Sequence, residues 1–176
     1  MNAQQLAEAI TEQYSSFIQT IEQLSDEQFV YVPAGKWTAG QHADHLIKSV
    51  SPVLMAMKMP SFLLKRLFGK ANRSSKSFED LVAKYKGKLQ QGGKSTARYV
   101  PAKVGLSQRA GKLKKLDGLA IKLALVARSL SEEKLEACLL PHPLLGKLTL
   151  REMLYFTVYH AKHHENNLQR DLLLMK

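Results

Sequence analysis

Apolar residues recur at steps of three and four along nearly the whole chain, and that period leaves little choice of secondary structure. In the first segment Leu6, Ile10, Tyr14, Phe17, Ile21 and Leu24 lay one stripe along a helix of about 20 residues, which Ser25 and Asp26 interrupt. A second helix opens at Thr38-Ala39-Gly40-Gln41, a capping box in which the Thr hydroxyl accepts an orphan backbone N–H and the Gln side chain reaches back. Its stripe runs through Leu46, Val50, Val53 and Met57, with Pro52 expected to kink or break it. Phe62 to Phe68 form a short apolar patch, and Ser77 is placed to cap a helix carrying Phe78, Val82, Tyr85 and Leu89. After GGKSTARYVPAKVG, which reads as loop, a third long helix follows Ser107 with Leu113, Leu116, Ala120, Leu123, Ala127 and Leu130 on one face. A second capping box, Thr149-Leu150-Arg151-Glu152, opens the last helix through Leu150, Met153, Leu154, Val158, Ala161 and Leu168. No run alternates as a strand would. Four long amphipathic helices with one long crossover between the second and third predict an all-α four-helix bundle.

The chain of 176 residues, 45% apolar, is long enough for one domain, 1–176, whose core needs no disulfide. The lone Cys138 reads as a small buried apolar residue and suits a reducing compartment. The first residues carry neither a basic nor an apolar leader segment, and the longest apolar stretch is broken by Pro52, Lys58 and Pro60, so the expectation is a cytoplasmic protein without a membrane span.

The net charge of +11 is unevenly placed. Residues 58–122 hold 17 Lys and Arg against three acids, whereas the rest of the chain holds nine against 12. Two basic clusters, Lys84, Lys86 and Lys88, then Arg109, Lys112, Lys114 and Lys115, invite a reading as a binding module for nucleic acid or another anionic partner. No zinc-finger, RRM or KH signature accompanies them, and no aromatics interleave as a stacking platform, so nucleic acid is disfavoured. Solvated helix faces explain most of these lysines. A narrower role is that part of the segment flanks a pocket and attracts an anionic substrate.

The six histidines, at 42, 45, 142, 160, 163 and 164, carry the chemistry. His160 and His164 lie one turn apart on the last helix, a spacing that lets two imidazoles share a metal, while His163 points to solvent or to a supporting position. On the second helix the wheel favours His42, about 80° from the stripe, over His45, about 140° away, although Pro52 weakens any wheel drawn through it. A buried neutral histidine with a satisfied partner is the plain alternative for His42.

The block KWTAGQHADHLIKS, with Trp37 eight residues before His45-Leu46, and the block HPLLGKLTLREMLYFTVYHAKHHENNLQR resemble the second-helix and final-helix signatures of the DinB/YfiT-like superfamily. The resemblance implies an up-down-down-up bundle holding a divalent metal, nickel or zinc, on His45, His160 and His164. It takes in the helical frame and the two blocks; Lys58 to Leu106 aligns with nothing in the family.

Three neutral imidazoles leave a divalent ion its full charge and an open position, the arrangement of a reactive site. Such an ion can activate water or a thiol near neutral pH. The superfamily resemblance implies both reactions, hydrolysis and low-molecular-weight-thiol S-transfer, on a small-molecule substrate, thiol-bearing in the second case; the charge split alone suggests an anionic one. A bundle that binds metal without catalysis is the alternative. Asp44, His142, Glu152, His163 and Glu165 are available as a general base, but each has a plainer reading: Glu152 in the capping box, Asp44 and Glu165 on solvated faces, His142 in a loop, His163 facing solvent. None is assigned a catalytic role. Trp37, Tyr155, Phe156 and Tyr159 read as packing. Phe62 to Phe68 offers a homodimer interface or covers one end of the bundle.

Overall fold

The computed structural model describes residues 1–32 and 35–175; Pro33, Ala34 and Lys176, the remainder of the expected 1–176 domain, lie outside the described residues. The elements are α1 (Ala3–Glu22), α2 (Asp26–Val30), α3 (Ala39–Met57), α4 (Ser61–Phe68), α5 (Phe78–Gln90), α6 (Arg109–Arg128), α7 (Glu132–Ala137), β1 (Leu139–His142), β2 (Gly146–Thr149) and α8 (Leu150–Leu172). The starts of α3 and α8 are the two capping boxes seen in the sequence, each closed reciprocally by Thr38 with Gln41 and by Thr149 with Glu152. Ser25, which interrupts the first stripe, caps the short α2 in the same way.

Side-chain contacts fix the directions of the four long helices. Met1 is held by Tyr155 and Arg151, and Glu165 of α8 accepts hydrogen bonds from Gln13, Ser16 and Thr20 of α1, so α1 and α8 run parallel. Arg109 at the start of α6 donates to the carbonyls of Ile21, Glu22 and Leu24 at the end of α1, capping a helix terminus whose carbonyls lack intrahelical donors and setting α6 against α1. Lys112 meets Asp44 near the start of α3, so α3 and α6 run parallel. The resulting order is up-down-down-up, around a core that includes Leu6, Ile10, Phe17, Leu46, Leu116, Leu123 and Leu154.

The crossover between α3 and α6 carries α4, α5 and two short 3-10 turns, Ala97–Tyr99 and Leu106–Gln108. Its last part lies against the start of α3. A Cβ on Gly40 would stand 2.7 Å from Val104 Cβ and 2.9 Å from Phe29 Cζ, so the approach needs glycine. Of the apolar patch, Leu64 is buried, while Phe62 and Leu67 remain exposed.

Two expectations need correction. A two-stranded antiparallel hairpin, β1 with β2, precedes α8 where no strand was expected; four-residue strands are too short to show alternation, and Gly146 at φ 78° closes the turn. Helix α3 is continuous through Pro52, and Ser49 and Ser51 return their hydroxyls to the carbonyls of His45 and Ile47 beside it. Cys138 is free and buried, as read. No helix among the described residues is long and apolar enough to cross a membrane. Three residues of the two basic clusters are committed internally: Lys84 to the Leu145 carbonyl, Arg109 to α1 and Lys112 to Asp44.

Candidate metal centre

All six histidines line one cavity of about 540 Å³, between α3, α8, the hairpin and the crossover. His45 is 4% exposed despite its place off the apolar stripe, because residues of the crossover give α3 a second burying surface. There the Tyr99 carbonyl lies 2.7 Å from His45 Nδ1. A carbonyl only accepts, so the neutral ring carries its proton on Nδ1 and keeps a lone pair on Nε2.

That lone pair meets α8. His45 Nε2 is 3.2 Å from His160 Nε2, which is 3.0 Å from His164 Nε2, and the three residues offer ligand atoms that all lie within 4.8 Å of one another. Burial pushes all three imidazoles below the usual histidine range, His160 and His164 well below it, and the neighbouring histidines add to the effect at His160 and His164. Neutral imidazoles crowded nitrogen to nitrogen, one with its tautomer fixed by a carbonyl, are a donor set that fits a divalent ion.

Aromatic walls hold the rings. Trp37 stacks on His164, centroids 5.8 Å apart and planes 10° from parallel, and Phe156 stacks on His160 at 4.7 Å and 25°. These two residues, read from the sequence as packing, border the cavity, whereas Tyr155 packs against Phe78. Tyr85 of the crossover stands edge-on to His160 and His163; burial, then Tyr159, raises its hydroxyl to about 12.

The other histidines fall into distinct places. His42 Nδ1 is 2.8 Å from His164 Nδ1, while its Nε2 is buried without a partner among the described residues, an arrangement that costs on the order of 1–3 kcal/mol. Burial, then His45, lowers His42 to about 4. His163 is half-buried, near Asn167. His142 ends β1, where its Nδ1 accepts the backbone N–H groups of Leu144 and Leu145, both at 3.1 Å, and burial, then Lys84, lowers it to about 4.

The carboxylates in the two motif blocks are all engaged. Asp44 and Glu165, expected on solvated faces, are buried. Asp44 is bound by Lys48, Lys112 and the Ala102 N–H, which outweigh burial and hold it at about 2. Glu165 is bound by Gln13, Ser16, Thr20 and Lys162. Glu152 closes its capping box and also takes Arg73 through both oxygens. Apart from Lys48, Lys162 and Thr149, their partners lie far away in sequence on other elements, so no local pattern showed the burial.

The Tyr99 carbonyl leaves no side-chain signature in the sequence, and the place of His142 depends on a hairpin whose four-residue strands are too short to read there. Lys94 and Arg98 of the basic segment do border the cavity, as does Lys36.

A sequence model of the DinB superfamily matches residues 9–166, a span that includes the crossover. Among solved structures, YfiT from Bacillus subtilis is similar at 17% identity and a TM-score of 0.64, with 98% of this chain and 87% of that chain covered. It is described as "a probable metal-dependent hydrolase with an unusual four-helix bundle topology", and the likeness bears on the fold. No curated protein matches the chain by sequence.

Proposed function

Because the chain belongs to the DinB superfamily, we propose that it is a metal-dependent enzyme holding one divalent ion, nickel or zinc, on His45, His160 and His164 and acting on a small molecule by hydrolysis or by transfer of a low-molecular-weight thiol. The observation that carries this reading is the convergence of three buried Nε2 atoms on a cavity large enough for a substrate. When bound, the ion supplies a Lewis-acid charge able to make a nucleophile of water or a thiol at neutral pH. The chain's own residues set the conditions. Tyr99 orients His45, Trp37 and Phe156 fix the planes of His164 and His160, and burial keeps all three rings neutral at pH 7.

Charge around the cavity supports an anionic substrate. Lys36, Lys94 and Arg98 border it, and none of them pairs with a carboxylate among the described residues; Asp171, which also borders the cavity, is bound by Arg170. Cations on the wall of a cleft attract anions over a Debye length, about 10 Å at 0.1 M salt.

Metal analysis of protein purified without a nickel column, after supplementation, tests the site. Wild type should carry roughly one ion per chain, as three imidazoles on one centre require, and His45→Ala or His164→Ala should lose it. Equal metal in the variants would overturn the assignment. Metal-loaded protein screened with thiols plus an electrophile, and with esters and amides, separates the two reactions, with His164→Ala as the blank. Turnover independent of salt would remove the anionic-substrate reading.

A further inference from the structure

We propose that His42 is a positioning residue: it accepts the Nδ1–H of His164 and thereby holds that ring in the tautomer whose Nε2 lone pair faces His45 and His160. This inference rests on the metal reading above and concerns a residue outside the three ligands.

The proton count between the two rings decides the tautomer. Two ring nitrogens 2.8 Å apart and outside the ligand cluster share a single proton, since two lone pairs or two N–H groups would repel at that distance, whereas the Nε2 lone pairs of His45, His160 and His164, 3.2 Å and 3.0 Å apart in that order, would be shared with the bound ion. If His42 held the proton, the neutral His164 ring would carry its own on Nε2, pointing it at His160 Nε2 3.0 Å away, where a ligand lone pair is needed. With the proton on His164 Nδ1, Nε2 is free, and His42 must carry its proton on Nε2. That atom is buried with no partner among the described residues.

A histidine retained for packing or stability would have both nitrogens satisfied or would be replaced by an apolar residue of similar size. His42 satisfies only the nitrogen that faces His164. It is not a fourth ligand either, because its Nδ1 meets the side of the His164 ring away from the cluster, and the group of converging ligand atoms comprises His45, His160 and His164. Partners that orient a ligating imidazole in this way commonly change metal affinity by 10- to 100-fold when removed.

Zinc affinity of metal-stripped full-length protein, measured by competition with a fluorescent chelator, is the test, with the melting temperature of the stripped protein recorded alongside. His42→Leu should weaken zinc binding 10- to 100-fold while leaving the stripped protein about as stable as wild type, because the unpartnered His42 Nε2–H that it deletes offsets the His164 Nδ1–H that it leaves without an acceptor. His42→Asn, whose Oδ1 can accept from His164 Nδ1, should restore affinity to within a few-fold of wild type. A purely structural role would lower stability and affinity together and would not distinguish Asn from Leu. His42→Ala replaces the leucine variant if that fails to fold.

Wild-type affinity in His42→Leu overturns the proposal and leaves the metal site standing. Loss in both His42→Leu and His42→Asn as complete as in His164→Ala overturns it by making His42 a ligand. Wild-type affinity in His164→Ala overturns the metal reading itself, and this proposal with it.

Discussion

Acidification should weaken the metal-stripped protein partly through His142, and a single substitution isolates its share. In the folded chain His142 Nδ1 accepts two backbone N–H bonds, so a proton on that atom would displace both, and burial opposes the charge as well. Its folded pKa of about 4 lies below the unfolded value of 6.5. As pH falls through 6.5 the unfolded chain therefore binds the proton first, so the stability present above that pH is lost progressively towards 4. Between pH 7 and pH 5 this difference amounts to about 2 kcal/mol for the one residue. His142→Asn places an amide oxygen where Nδ1 stood, able to accept the same N–H groups without titrating. Urea unfolding of wild type and His142→Asn at pH 7 and pH 5 gives four free energies, and the double difference cancels every other group that titrates. The wild-type loss on acidification should exceed the variant's by about 2 kcal/mol. Equal losses in the two proteins would show that His142 does not carry this pH dependence.

Three further outcomes follow from the packing. Glu165→Ala removes the acceptor shared by Gln13, Ser16, Thr20 and Lys162 and should lower the unfolding free energy by about 2–3 kcal/mol, with Glu165→Gln recovering part of it in the same denaturant titration. Gly40→Ala drives a methyl group into Val104 and Phe29; a loss of about 1–3 kcal/mol is expected, read as a lower melting temperature, and no change would mean that the crossover is not seated there. Zinc at 100 times its dissociation constant should stabilise the wild type by about 2.7 kcal/mol, reversibly on chelation, and should leave His160→Ala unmoved in a melting assay.

The helical frame was legible because its signals are local. Thr38 with Gln41 and Thr149 with Glu152 announce two helix starts within four residues each, and the core stripes need only a run of one helix. The hairpin was not, since Leu139–His142 and Gly146–Thr149 are shorter than any window in which alternation can be counted. The histidines divide on the same ground. His160 and His164 share a face by spacing alone. His45 was placed by its distance from Trp37 in a family-like block, against a wheel that turned it away from the core. The wheel presumes one buried face, and the first turns of α3 have two, because the chain between Tyr99 and Val104 returns to cover the other. The same return buries Asp44, whose partners Ala102, in the crossover, and Lys112, on α6, lie 58 and 68 residues further along the chain.

The acceptor that orients His45 is a main-chain carbonyl, and this changes how the site can vary. Any amino acid at position 99 presents the same oxygen, so the tyrosine side chain there is free to change without touching the tautomer of His45. What the centre depends on is the path of the chain, and that path is held by small-residue fit at Gly40 and by the Ala102 N–H on Asp44. Substitutions that disturb the centre from the crossover should therefore cluster at positions that steer the backbone, while Lys94 and Arg98, which border the cavity, sit just upstream on the same loop. One short stretch thus lets the cavity wall diverge while the support of the first histidine stays constant.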